Sequence, residues 1–215
     1  MTDAQRRAAL EAIDAEIRMC TGCRLHAERR TAVPGEGSAD TEVVFVGEGP
    51  GRDEDAQGRP FVGESGRLLT RLVESVGWRR DEVYITNVVK CRPPGNRDPQ
   101  PDEIAACAGF LERQLRILDP ALVVTLGRYS LNTFRPGDRI GASHGTVRRA
   151  ALAGPSGAGA LAMYHPAYAV RDRTNEPRLF EDMSRAPSAL VDERRRRIDA
   201  ASSKVAAGTD GGPAR

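Results

Sequence analysis

Apolar positions along this chain fall into two alternating patterns. Between residues 3 and 18, Ala8, Leu10, Ile13 and Ile17 recur near helical spacing behind a Thr2 or Asp3 cap, which predicts an amphipathic helix. An irregular polar stretch follows, MCTGCRLHAERRTAVPGEGSAD. Four short apolar runs then appear at wide intervals: Glu42–Val46, Val83–Thr86, Ala121–Leu126 and Gly159–Tyr164. Each ends near Gly, Asn or Pro, and helical patterns lie between them. The clearest of these are Gly66–Val76 and Asp102–Ile117, the second opened by Pro101 and Asp102. Strands alternating with helices predict an α/β fold, a three-layer α/β/α sandwich around a central four-stranded parallel sheet. In such sheets ligands bind beyond the carboxyl ends of the strands. From about Arg185 the pattern decays into DERRRRIDAASSKVAAGTDGGPAR. That predicts one domain over residues 1–200, ending in a short helix at Leu190–Ile198, and a disordered tail over 201–215. No internal repeat is visible.

Composition narrows the class. Of 215 residues, 40% are hydrophobic and 29% charged, which excludes a membrane-spanning chain and a wholly disordered one. A net charge of +2 does not announce a nucleic-acid partner. Nearly all the positive charge is arginine, Lys90 and Lys204 being the only lysines. That bias suits bidentate phosphate contacts, and it equally suits a coding sequence of skewed base composition. The first twenty residues carry acids throughout and lack an apolar core run, unlike a signal peptide. No stretch approaches the roughly 20 apolar residues of a membrane helix. A cytoplasmic protein with no membrane partner is expected, and in a reducing compartment four cysteines point to a metal or cluster before disulfides.

Cys20 and Cys23 form a C-x-x-C pair, Cys91 follows a strand end, and Cys107 lies in the predicted helix after it. Four thiolates suit tetrahedral zinc or a [4Fe–4S] cluster, and spacing does not choose between them. Cys107 also reads as a small buried residue, and Cys20/Cys23 as a redox dithiol, although no strand–helix unit flanks that pair. The ligands are spread over half the domain. That favours a centre pinning the N-terminal segment to the sheet over a compact electron carrier.

Three strand ends carry the remaining chemistry. The first runs into GEGPGRDEDAQGRPFVGESGRLL, a glycine-rich turn with neither a P-loop ending nor a dinucleotide fingerprint. Glu48, Asp53, Glu54 and Asp55 there could orient a water or simply cap the turn. Phe61 reads as a loop anchor or a stacking platform. The second strand ends in YITNVVKCRPPGNRDPQPDE, where Asn87 offers the donor–acceptor pair complementary to a pyrimidine N3–H and O4 edge, or else caps a turn. The fourth ends in MYHPAYAVR, where Pro166 fixes the backbone after His165. His26 and His144 lack such contexts and read as surface or loop residues.

As an ordered set, the four cysteines, GEGPG…GRPFVG…G, YITNVVKCRPP.NR.P and HPAY resemble the family-4 uracil-DNA glycosylases of bacteria and archaea. The resemblance runs from about Cys20 through the helical segment after His165. It implies a glycosylase-like sandwich that flips uracil out of DNA and hydrolyses its N-glycosidic bond, initiating base excision repair. By the same resemblance, Cys20, Cys23, Cys91 and Cys107 hold a structural [4Fe–4S] cluster. Gly47, Glu48 and Gly49 line the uracil pocket, Phe61 stacks on the base, Asn87 reads its edge, and His165 lies near O2. Ala167–Arg173 resembles the segment that wedges into the duplex. Glu48 is pocket lining and a possible water base, with Glu54 as a second candidate, because the aspartate found at the third turn position in the best-known uracil glycosylases is replaced by Gly49. Arg92, Arg97, Arg128, Arg148, Arg149, Arg171 and Arg173 are candidate DNA contacts. The expected partner is uracil-containing DNA, engaged by a monomer and handed to downstream repair proteins. The alternative is a related group that traps uracil DNA covalently through a histidine in a basic insert; here VVKCRPPGNRDPQP carries neither.

Overall fold

The computed structural model describes residues 1–208. Its centre is four parallel strands in the order β3-β2-β4-β6: β2 Val43–Gly47, β3 Tyr84–Asn87, β4 Leu122–Leu126 and β6 Gly159–Met163. These are the four apolar runs seen in the sequence. The sheet is wider than predicted, because a short antiparallel strand closes each edge: β1 Glu36–Gly37 beside β3, and β5 Val147–Arg149 beside β6. Neither was legible, since two residues give no period and VRR is exposed and polar.

Side-chain alternation sorts the strands' residues into two cores. Val43, Phe45, Val124 and Leu161 face one way, against α3 Glu64–Ser75, α7 Ala167–Arg171, α8 Glu176–Met183 and α9 Ala186–Gly208. Val44, Val46, Val123 and Ala160 face the other way, against α1 Asp3–Met19, α4 Pro101–Leu118 and α5 Arg128–Phe134. Burial on both faces explains why the strands read as unbroken apolar runs. The result is the predicted three-layer α/β/α sandwich.

Local signals set the helix ends. Thr2 and Gln5 form a reciprocal capping box on α1, and Pro101 occupies the first turn of α4, where a missing N–H costs nothing. Two short helices, α2 Arg52–Gln57 and α6 Ile140–Ser143, complete the set among the described residues.

The C-terminal reading needs correction. Helix α9 begins at Ala186 and continues past residue 200, where the sequence pattern places the end of the domain; residues 209–215 lie outside the described part. Its arginine run misled the pattern, because these cations fasten the helix to the sheet. Arg197 donates to the carbonyls of Asp119, Pro120 and Gly157, Arg194 pairs with Glu42, and buried Glu193 of the same helix pairs with Arg149 of β5. No helix among the described residues is long and apolar enough to cross a membrane.

Candidate active site

The chain leaves β2 towards β3 on one side and returns to β4 on the other, so the strand order reverses beside the carboxyl end of β2. A crevice opens at such a switch point. Here it is a cavity of about 650 Å³, lined among others by Glu48, Gly49, Phe61, Asn87, Arg128, His165 and Arg171.

Gly47 ends β2 behind Asn87 and Phe61 and, unlike Glu48 and Gly49, is not itself among the residues that line the cavity. A Cβ there would lie 2.3 Å from Asn87 Oδ1 and 2.6 Å from Phe61 Cζ, so only glycine lets the amide and the ring converge. Asn87, paired in register with Gly47, is 1% exposed, and its Oδ1 has no hydrogen-bond partner. A buried acceptor without a partner is costly, so this one marks a ligand position.

Phe61 is the inward-packed loop anchor that its sequence context allowed, at 6% exposure, and it also reaches the cavity. Its backbone is held at φ 51°, rare for a bulky residue. Two devices impose this. Gly66 in α3 lets the helix press on the Phe61 carbonyl, where any Cβ would sit at 1.9 Å. Glu54 clamps the loop, accepting from the N–H groups of Gly51, Val62 and Gly63 at 3.1, 2.9 and 3.0 Å. The acids of the turn therefore divide. Asp55 is buried and accepts from Arg30 N, Asp53 pairs with Arg52, and Glu54 has both oxygens committed, which leaves Glu48. Glu54→Ala should cost about 2 kcal/mol in a urea melt, because it strands donors in a partly buried loop.

Glu48 Oε1 accepts from Tyr129 N at the start of α5, 3.2 Å away. Burial pushes its carboxyl above the ordinary carboxylate range, against the pull of that N–H and of Arg128. A Cβ at 49 would meet Val89 Cγ2 at 2.7 Å, which accounts for glycine in the third turn position.

His165 follows β6, its ring stacked against Phe61 with centroids 5.6 Å apart. Ala167 N donates to Nδ1 at 3.1 Å, so Nδ1 is an acceptor and a neutral ring carries its proton on Nε2. Burial, aided by nearby Arg171, pushes the imidazole down to about 4. At neutral pH it is an uncharged N–H donor. The two rings are too close to admit a third between them, since two stacking contacts span roughly 7 Å.

The candidate DNA arginines separate. Arg171 lines the cavity mouth on α7, and Arg173, mostly exposed, lies 3.9 Å from Glu64. Arg148 is not brought there. It sits on β5 opposite Ala160, towards the amino ends of the parallel strands, and pairs with Asp138. Arg149 pairs with Glu193, Arg97 grips Glu103 with both nitrogens, Arg128 pairs with Asp98, and Arg92 donates to Asn96. His144 is held by Asp182 at 3.0 Å, and His26 by the Cys23 carbonyl. Two residues that the sequence reading passed over are Tyr164 and Tyr168, which stack at 4.7 Å beside the cavity. The aromatic spacing in MYHPAY was their one signal.

Behind the opposite core, Cys20, Cys23, Cys91 and Cys107 line one recess with Ile17, Lys90 and Phe110. All four are unpaired thiols. Arg29 Nη1 donates to Cys91 Sγ at 3.0 Å, Lys90 N to Cys107 Sγ at 3.3 Å, and Gly22 N to Cys20 Sγ at 3.4 Å. Burial pushes the Cys91 thiol up and the Cys107 thiol up to about 11, so ionisation needs a cationic partner. Among the described residues no three His, Cys, Asp or Glu side chains group as a single-ion site.

Fold and cavity together define a doubly wound α/β protein built to hold a flat polar ring at its strand ends. The model of the Uracil DNA glycosylase superfamily matches residues 34–186. A type-4 uracil-DNA glycosylase of Thermotoga maritima is 44% identical over 190 residues, covering 87% of this chain and 98% of that protein. One from Sulfurisphaera tokodaii is 54% identical over 123 residues, covering 57% and 56%. A type-5 uracil-DNA glycosylase of Thermus thermophilus is 33% identical over 167 residues, covering 70% and 74%. The chain belongs to the type-4 uracil-DNA glycosylases of that superfamily.

Proposed function

We propose that this protein excises uracil from DNA by hydrolysing the bond between the base and its deoxyribose. One observation carries the reading: buried Asn87, whose Oδ1 has no hydrogen-bond partner, lines the same cavity as Phe61 and His165. Uracil N3–H fits that acceptor, and the amide N–H₂ fits O4. A base in a stacked duplex cannot reach such a site, so the nucleotide is extruded. As the C1′–N1 bond breaks, its electron pair moves onto the base and spreads to O2 and O4. His165 Nε2–H donates to O2, where charge grows, and needs no proton transfer to do so. Water adds to C1′ and loses a proton, and Glu48 is the turn carboxylate left to receive it. Arg171 and Arg173, with Ala167–Arg173 as wedge, hold the flanking backbone of a monomer's DNA substrate; Arg148 has no part in this.

The test is uracil release from a synthetic oligonucleotide in single turnover. Free uracil with no adduct is the expected result. A denaturation-resistant protein–DNA adduct without free uracil would overturn it.

The pH profile follows from the two shifts. With its imidazole pushed down to about 4, His165 is already neutral near the usual histidine value of 6.5 and adds no loss there. Glu48 is held above its usual range, so activity falls as pH drops through that raised value and the base becomes protonated. Glu48→Gln should lower the rate and remove this acidic limb.

Cys20, Cys23, Cys91 and Cys107 fit a [4Fe–4S] cluster. A single zinc needs four sulfurs each at about 2.3 Å from one ion, whereas a cluster offers each thiolate its own iron. These four thiols line one recess, and N–H groups donate to three of their sulfurs, as outer-shell donors to ligand thiolates do. When bound, the cluster supplies a cross-link between the N-terminal segment and the sheet. Anaerobically purified protein should contain iron and acid-labile sulfide in about equal amounts. Zinc without sulfide would refute this. A cytoplasmic location and hand-over to repair proteins belong to the same proposal.

A further inference from the structure

Lys90 is 1% exposed and has no place in the chemistry above. Its Nζ donates to three oxygens: Thr86 Oγ1 at 2.6 Å, Gln114 Oε1 at 2.7 Å and the Asn87 carbonyl at 2.9 Å. Three donors meeting three acceptors is the full valence of an ammonium. The network closes behind it. Thr86 Oγ1 donates to Pro34 O, and Gln114 Nε2 donates to Pro34 O and Tyr84 Oη. Among the described residues no carboxylate forms an ion pair with Lys90, so its partners are neutral oxygens. Removing the ammonium would strand the buried acceptors that it meets, so the network contributes to cohesion. Its placement adds a second role. Through Nζ it grips the backbone of Asn87, and through its own backbone N–H it donates to Cys107 Sγ. Gln114 and Cys107 lie seven residues apart on one face of α4, so one helix carries both anchors.

We propose that Lys90 is a positioning residue for base recognition, fixing Asn87 from behind and tying its orientation to the cysteine recess. The proposal rests on the reading of Asn87 as the residue that meets the base. Lys90 touches no substrate; it acts by restricting where the Asn87 amide points.

The experiment compares wild type and Lys90→Met as full-length, cluster-loaded protein. Four quantities are read: iron content, affinity for uracil-free DNA, inhibition by free uracil, and single-turnover uracil release. Iron content and DNA affinity should stay at wild-type levels. Release and uracil inhibition should both weaken, on the order of tenfold to a hundredfold, the loss that small misplacements of a binding group produce. A general loss of stability would not single out the base-dependent readouts. Full iron with both base readouts within about twofold of wild type overturns the proposal. If Lys90→Met loses iron, Gln114→Leu decides, since Gln114 does not line the recess: the same selective loss with iron retained supports it, and unchanged base readouts overturn it. Iron loss in both variants also overturns it, because the network would then serve the recess alone. A wild type that neither binds nor releases uracil sinks the underlying reading, whereas active wild type with unaffected variants sinks this proposal only.

Discussion

His165→Ala slows uracil release on the order of 10²–10³-fold while leaving the affinity for uracil-free DNA near wild type. The size follows from what is removed. Ala167 N occupies Nδ1, so the imidazole of this cavity-lining residue has one free function, the Nε2–H. A neutral donor already fixed in place stabilises charge on the leaving base without reorganisation, which is where such groups contribute most. Burial keeps the ring neutral, so raising the pH from 5 to 8 should not mimic the mutation. Single-turnover release from a uracil oligonucleotide measures the effect, and thermal melting separates it from unfolding. His165→Gln retains an N–H donor and should recover part of the rate. If alanine costs less than about tenfold, the donor lies elsewhere.

Asn87→Asp changes which base is accepted. The substitution keeps the shape and exchanges an N–H₂ donor for an oxygen. Uracil O4 then faces a like partner, and release from uracil DNA should fall at least about 10²-fold, since sites built on hydrogen bonds reject mismatched partners strongly. Cytosine carries an amino donor at the same edge, so its relative excision should rise. The amide is positioned for this role by neighbours that cannot yield. Gly47 beside it has no room for a Cβ, and the Asn87 carbonyl is held by Lys90. Parallel assays on uracil and cytosine oligonucleotides report the ratio. An unchanged ratio with reduced uracil release would show that Asn87 supports the pocket without reading the base.

Much of this was legible one residue at a time, and some of it was not. The strand ends at Gly47, Asn87 and His165 stood out because apolar runs stop there at polar residues of specific type. The choice between platform and anchor for Phe61 was not legible. It depends on Glu54 reaching back to three amides and on the Gly66 close approach, contacts between positions whose spacing has no period. Glu54 as a water base was undone by those same hydrogen bonds. Arg148 failed for a similar reason: the third strand's loop returns as an edge strand, and antiparallel pairing carries the arginine to the far end of the sheet.

Local order, by itself, determined the architecture here. Apolar runs buried on both faces, separated by helical periods, admit few arrangements other than a doubly wound sheet, and its strand ends are where ligands go. Four cysteines with one C-x-x-C pair determined that a thiolate centre was in question. Tertiary structure alone decided what each polar group is free to do. A carboxylate, guanidinium or amide is available for chemistry only if its hydrogen-bonding capacity is not already filled, and the partners that fill it arrive from distant parts of the chain. Asn87 Oδ1 was left without one, Glu54 and Arg97 were not, and Lys90 was given three. That difference between open and satisfied valences is set by packing, which no window along the sequence contains.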